Sequence, residues 1–335
     1  MRRYRRPAAI AALTLFGVFL LIAPQLFKPY GIFILSTWVV MSIAAVGLNL
    51  TLGYAGQVSL AQAAFVGIGS YITAWLTTHG WPFWPTYFFA FFACFAVGWL
   101  LGYPALRVQH HYLAFVTLAF NTLIYLVFRN EEWLTNGIYG IMNVPRPSVL
   151  GWSMNHPHNL YYFLLAHLVF ISVMTWLLIQ SPWGRAFVAV RENPMRALSL
   201  GIDTRRYTLM AFAIGAGLGG IAGSLYAPLV QFIDPTPFAL TLSLNLLLMV
   251  VVGGSGYFFG PFLGAIVAVL LPEWLRFAQG FYLMAYAVLV VGLMVFCPTG
   301  LLGLLDRIFS TRTTPPGQPE AAALTAAGPA SEMAR

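Results

Sequence analysis

The chain has 335 residues, of which 60% are hydrophobic and only 8% charged, with a formal net charge of +8. A soluble domain carries about 25% charged residues, so this composition excludes an ordinary soluble protein and points to an integral membrane protein. The positive balance does not point to nucleic acid, because the basic residues fall in short segments between apolar runs, where membrane orientation places them.

In chain order, Arg2, Arg3, Arg5 and Arg6 precede an apolar run that resembles a signal peptide. No small-residue cleavage site follows Leu20, and the next break is Ala23-Pro24-Gln25, so an uncleaved first span is expected. A spanning helix needs about 20 mostly apolar residues. Ten such segments are predicted, at 8–26, 31–50, 58–78, 83–106, 111–128, 160–180, 207–228, 239–254, 258–273 and 281–298. The third, eighth and ninth are rich in glycine and the ninth is short, so broken or re-entrant helices are expected among them. The fold class predicted is an all-α polytopic helical bundle, with a transmembrane domain over 1–310. The remainder, 311–335, is rich in Pro, Ala and Gly and is expected to be disordered.

Ten spans starting inside place both termini in the cytoplasm. Arg2, Arg3, Arg5, Arg6, Arg107, Arg185, Arg191, Arg196, Arg205, Arg206, Arg307, Arg312 and Arg335 then fall inside. Only Lys28, Arg129, Arg146 and Arg276 fall outside, which is the expected bias. The largest outer loop, 129–159, holds Glu131, Glu132, Trp133 and Trp152. It is suited to folding over the outer mouth or meeting an external partner, and its tryptophans equally suit the membrane interface.

The inner segment 185–206 reads RAFVAVRENPMRALSLGIDTRR. It contains a short helix with its own punctuation: Asn193 as N-cap, Pro194 at the first helical position and Gly201 just past the end. A helix on the cytoplasmic side is expected to dock a soluble partner. Met195, Leu198 and Leu200 would offer apolar contacts, and Arg191, Glu192 and Arg196 charge pairing at the rim. Arg185, Gly201 and Asp203 complete the candidate set.

No Asp, Glu, Lys or Arg lies near the middle of any predicted span. Ion-coupled transporters usually keep such a group in the membrane, so the energy source is expected elsewhere. The polar residues that do occur there are neutral: Asn49, Gln57, Ser59, Gln62, Ser70, Thr73, Thr117, Asn121, Thr122, Ser243 and Asn245. With Gly253, Gly254 and Ser255 they are candidates for a translocation path or gate, or else for hydrogen bonds between helices. The single lysine, Lys28, has no GxxxxGK[ST] around it, so no P-loop is present. His110, His111, His156 and His158 lack metal-site spacing. Cys94 and Cys297 read as buried hydrophobes, and no catalytic constellation stands out. No cofactor is expected in this chain.

Three motifs in order are more specific. GLNLTLGYAGQVSLAQAAFVGIGSY, GRAFVAVRENPMRALSLGID and LLMVVVGGSGYFFGPFLGAIVAVLLPEWLR together resemble the membrane permeases of branched-chain amino acid ABC importers, most closely their LivM branch. The resemblance spans roughly 35–305. Ala61 stands where that family commonly has Gly, and Pro194-Met195-Arg196 replaces a more acidic stretch. The resemblance implies a non-catalytic subunit in the bacterial inner membrane, paired with a second, LivH-type permease. It further implies two cytoplasmic ATPases, which bind ATP and Mg, and a periplasmic or lipid-anchored binding protein. The family's coupling segment maps onto Arg185–Asp203. Relatives of this kind carry branched-chain amino acids, urea, amides or other small solutes. A stand-alone secondary transporter and a membrane enzyme acting on lipid-linked substrates are the alternatives outside the family.

Overall fold

The computed structural model describes residues 17–105, 110–149 and 152–274, with short helical pieces at 287–288, 291–292 and 300–303. The basic N-terminus, most of the tenth predicted span, Arg107, Arg276, Cys297 and the 311–335 tail lie outside the described residues. The chain is almost wholly helical where it is described. Helix α1 is Gly17–Leu26. Helix α2, Pro29–Asn49, runs directly into one turn of π-helix, Leu50–Tyr54. Then come α3 (Gln62–Thr78), α4 (Phe83–Ala105) and α5 (His110–Asn130). A short α6 (Glu132–Thr135) leads to α7 (Pro157–Gln180). Helices α8 (Pro182–Glu192) and α9 (Pro194–Ser199) precede the long α10 (Thr204–Val230). Finally α11 (Leu240–Gly253), α12 (Gly260–Ala265), a second π-turn (Ile266–Leu270) and α13 (Leu271–Trp274) follow.

Five of the described helical stretches are long and apolar enough to cross a membrane: Pro29–Tyr54, Phe83–Pro104, Leu113–Asn130, Pro157–Gln180 and Thr204–Val230. The first and last are the centre of the bundle, 78% and 89% buried, whereas the other three are at most 33% buried. Around them α4, α5 and α7 turn Phe88, Phe92, Phe115, Leu123, Phe170 and Val173 outward. Apolar residues exposed on long helices mark a multi-pass membrane protein, since lipid tails solvate them as well as a core would.

In such a medium helices associate through close packing rather than water exclusion. The sequence supplies small residues for this, and α10 carries most of them. Gly223 faces the backbone of Val66 and Ser70 on α3, Gly69 on α3 faces the backbone of Gly220, and Gly215 faces Gly47 on α2. A Cβ at Gly47 would lie 2.7 Å from the Gly215 carbonyl oxygen, so these helices meet backbone to backbone. Ser70 Oγ donates across the same seam to Gly223 O at 3.0 Å, and Thr73 Oγ1 to Ser224 Oγ at 2.7 Å.

The 129–159 loop folds back onto the bundle. Ile141–Met142 (β1) pairs antiparallel with Phe232–Ile233 (β4), and Ser148–Val149 (β2) with Trp152–Ser153 (β3). The loop is thereby tied to the end of α10, while Trp133 at its surface is 79% exposed.

Two sequence expectations need correction. The third predicted segment, 58–78, becomes helical only at Gln62, because Gly56 (φ +71°) turns the chain away from helix after the π-turn. The 185–206 segment, read as one short helix within a loop, is divided among three helices, with α9 between the other two. Arg185 and Arg191 belong to α8, and Arg205 and Arg206 to the start of α10.

Candidate functional site

Two regions of the chain combine irregular backbone with candidate residues, and they touch. The first is the pair of breaks within apolar sequence, at 55–61 between the π-turn and α3, and at 254–259 between α11 and α12. The second is the α8–α9 pair.

A helix that starts inside apolar surroundings leaves its first N–H groups without intrahelical partners, each costly to bury unsatisfied. Helix α3 solves this with side chains from distant elements. Leu60 N donates to Thr117 Oγ1 at 3.0 Å, Ala63 N to Ser243 Oγ at 2.9 Å and Ala64 N to Asn121 Oδ1 at 2.8 Å. Ser59 Oγ accepts from Ala61 N at 3.3 Å. Gln62 Nε2 donates to Ala44 O and Gly215 O, stitching α3 to α2 and α10. Gln57 is buried beside them, its Nε2 facing Ala55 O at 3.5 Å.

The second break is held by Asn49, at the end of α2. Its Nδ2 donates to Tyr257 O and its Oδ1 accepts from Gly256 N, both at 3.0 Å. Gly253 packs against Gly260, and Gly264 against the Met249 backbone, so α11 and α12 form a tight hairpin. Gly254 closes α11 at φ +116°, a conformation that only glycine adopts without strain.

The predicted path residues therefore divide. Asn49, Gln57, Ser59, Gln62, Ser70, Thr73, Asn121 and Ser243 are buried and direct hydrogen bonds mainly to backbone. Asn245 is exposed on α11, and Ser255 is half-exposed in the second break. Asn121 Nδ2 is buried with no hydrogen-bond partner among the described residues.

The α8–α9 pair is built by local signals. Ser181 Oγ caps α8 by accepting from Trp183 N at 3.2 Å, with Pro182 in the first turn. Asn193 Oδ1 caps α9 by accepting from Arg196 N at 3.0 Å, with Pro194 in the first turn. Gly201 at φ +81° turns the chain out of α9. Asp203 Oδ1 then caps α10 through Arg206 N at 3.1 Å and pairs with the Arg206 side chain at 2.8 Å. That ion pair is exposed and contributes little.

Helix α8 turns Phe187 inward against Leu50, Tyr54, Ala55 and Ala211. Helix α9 does the reverse. Ala197 is buried beneath it, while Met195, Leu198 and Leu200 are 75%, 56% and 79% exposed. Arg196 and Glu192 lie exposed at its edge. Arg191 is exposed as well, and its guanidinium also donates to Gly53 O on the π-turn. Sequence reasoning missed α8. The signal was Ser181-Pro182, followed by Phe187 and Val190 one helical turn apart.

Residues 31–298 match the family described as "Branched-chain amino acid transport system / permease component". The chain belongs to this permease family. It is a membrane-spanning permease subunit of an ATP-binding cassette importer. The chain is 32% identical over 284 residues to the high-affinity branched-chain amino acid transport system permease protein LivM of Escherichia coli (strain K12), covering 78% of this chain and 67% of that protein. The probable branched-chain amino acid transport permease protein LivM of Methanocaldococcus jannaschii is 27% identical over 233 residues, 62% of this chain and 64% of that protein. The autoinducer 2 import system permease protein LsrC of Salmonella paratyphi B is 28% identical over 173 residues, 47% of each. No solved structure matches the chain.

Proposed function

We propose that this subunit forms half of the translocation pathway for branched-chain amino acids, with α8 and α9 as the element that receives motion from cytoplasmic ATPases. The observation that carries the coupling assignment is α9. It is capped at its start by Asn193 and at its end by Gly201, and it presents Met195, Leu198 and Leu200 to the outside. Three exposed apolar side chains on a short, well-capped helix fit the surface of a partner, not of water. The arginines of the 185–206 segment put this face in the cytoplasm. Helix α7 has 24 residues, roughly 36 Å, and carries the chain from the outer loop to this side.

The same reading gives about ten membrane segments, the α11–α12 pair among them, with both termini inside, over a membrane domain at 1–310, in the inner membrane. Helix α11 has 14 residues, about 21 Å, against roughly 30 Å of hydrocarbon, which supports reading the α11–α12 hairpin as a re-entrant pair that leaves eight full spans and the same orientation of both termini. Of the predicted path residues, Asn121 through its Nδ2, which has no partner among the described residues, and the more exposed Asn245 and Ser255 are the groups proposed to meet a solute. A second permease of the LivH type completes the pathway, two ATPases bind ATP and Mg, and an external binding protein delivers substrate. A different small solute is the second reading, since the LsrC relative is named for autoinducer 2.

The test is reconstitution. The chain, co-expressed with a second permease and two ATPases and placed in nanodiscs, should hydrolyse ATP faster when leucine and a binding protein are added. Leucine uptake down an ion gradient by this chain alone, with no ATPase recruited, would overturn the proposal.

A further inference from the structure

We propose that Arg191 is the positioning residue that transmits movement of α8 and α9 to both helix breaks at once. The inference rests on the coupling role proposed for α8 and α9, and goes further by naming the linkage. Arg191 lies in the last turn of α8, two residues before the Asn193 cap. Its guanidinium donates to Gly53 O on the π-turn that opens the first break. Its aliphatic stem lies over Gly56, where an added Cβ would sit 3.0 Å from Arg191 Cγ and 3.4 Å from its Cβ. The same guanidinium rests against Gly256 in the second break, where a Cβ would sit 3.5 Å from Arg191 Cζ and 3.0 Å from Gly53 O.

Asn49 closes the loop from the opposite side. It holds Gly256 N and Tyr257 O while ending the helix that becomes the π-turn. One cytoplasmic side chain therefore touches both breaks, and one buried amide joins them behind it. Phe187 lies one helical turn before Arg191 on the same face of α8 and is fully buried against Leu50 and Tyr54. Helix α8 thus grips the π-turn through an apolar and a polar contact, so it cannot shift without pulling on that turn. A π-turn often marks a functional site in a helix.

Glycine at 56 and 256, at φ +71° and +84°, leaves the room Arg191 occupies. Arg also suits the task better than Lys, because its planar fork keeps several donors in fixed directions. A rim role alone would give Arg191 no contact within this chain, whereas one of its donors is engaged on Gly53 O.

The test compares wild type, Arg191→Ala and Arg191→Lys in the assembled importer in liposomes, using leucine and a binding protein. It reads leucine accumulated per ATP hydrolysed. Arg191→Ala should lower that ratio at least tenfold, and Arg191→Lys should recover part of it by donating to Gly53 O. Hydrogen exchange on the same complexes gives a readout independent of transport. Exchange should quicken at 50–61 and 254–259 in Arg191→Ala, and stay unchanged in α9. A wild-type transport ratio in Arg191→Ala, or exchange unchanged at either break, would overturn the linkage. So would loss of the ATPases from Arg191→Ala with both breaks still protected, which would make Arg191 an intersubunit contact. A wild-type complex without ATP-driven uptake would instead count against the proposed function, and the exchange measurement would still decide the linkage.

Discussion

Replacing Gly223 by alanine should destabilise the bundle, although alanine is the better helix former. The gain in helix propensity is about 1 kcal/mol. Against it stands the seam between α3 and α10. A Cβ at Gly223 would overlap the Val66 carbonyl oxygen and lie 2.8 Å from Ser70 N and from the Val66 carbonyl carbon. Interiors are close-packed, and carbon makes contact at about 3.5 Å, so the two helices must part by roughly 1 Å. That separation stretches the Ser70–Gly223 bond, now 3.0 Å, and the Thr73–Ser224 bond, now 2.7 Å, beyond useful length. Interhelical hydrogen bonds in membranes contribute about 0.6 kcal/mol each, and overpacking costs about 1–3 kcal/mol. The net loss is about 1–3 kcal/mol, a roughly five- to 150-fold fall in the folded-to-unfolded ratio. Unfolding of the purified chain by titration from mild detergent into SDS would measure it. Gly17→Ala is the control, since an added Cβ there meets nothing within 4 Å among the described residues. Equal stability of Gly223→Ala and wild type would refute backbone contact between α3 and α10.

Three further outcomes are expected. Asn193→Ala should cost α9 about 1 kcal/mol and raise amide exchange over 195–200, while Asn193→Asp, which keeps the accepting oxygen, should not. Met195→Asp with Leu198→Asp should leave the chain folded, because both side chains are exposed, yet abolish co-purification of the ATPases; retained co-purification would place the docking surface elsewhere. Ser243→Ala should leave Ala63 N buried without its partner and cost about 1–3 kcal/mol in the same SDS titration, an effect absent from the exposed neighbour Asn245→Ala.

What could be read in advance follows from how local each feature is. Helix α9 was legible because Asn193, Pro194 and Gly201 act within a few residues of one another. The membrane helices were legible because apolar length is a local property, and predicted 31–50, 83–106 and 160–180 lie close to α2, α4 and α7. The π-turn at Leu50–Tyr54 was not, since no residue type there signals a change in helical pitch. The start of α3 was misplaced by four residues because its caps come from Thr117, Asn121 and Ser243, which are local to nothing in that segment. The polar residues themselves stood out. Their targets, mostly backbone groups on other elements, depend on packing that spacing does not encode.

The uncharged interior and the broken helices are two sides of one constraint. A break within apolar surroundings exposes N–H and C=O groups that water cannot reach, and each must find a partner inside the protein. A carboxylate would cap α3 more strongly than Asn121 or Ser243, but it would bring a charge whose burial costs several kcal/mol more than a neutral amide or hydroxyl. Neutral caps also hold less tightly, and a break meant to change shape needs contacts that can be exchanged. Among the described residues, the full positive charge that reaches the breaks is on Arg191, anchored in the last turn of α8. Its stem lies along Gly56 and only its head engages the π-turn carbonyl, so the charge stays near the membrane surface. On the coupling role proposed for α8 and α9, force would enter a neutral membrane domain at this polar contact.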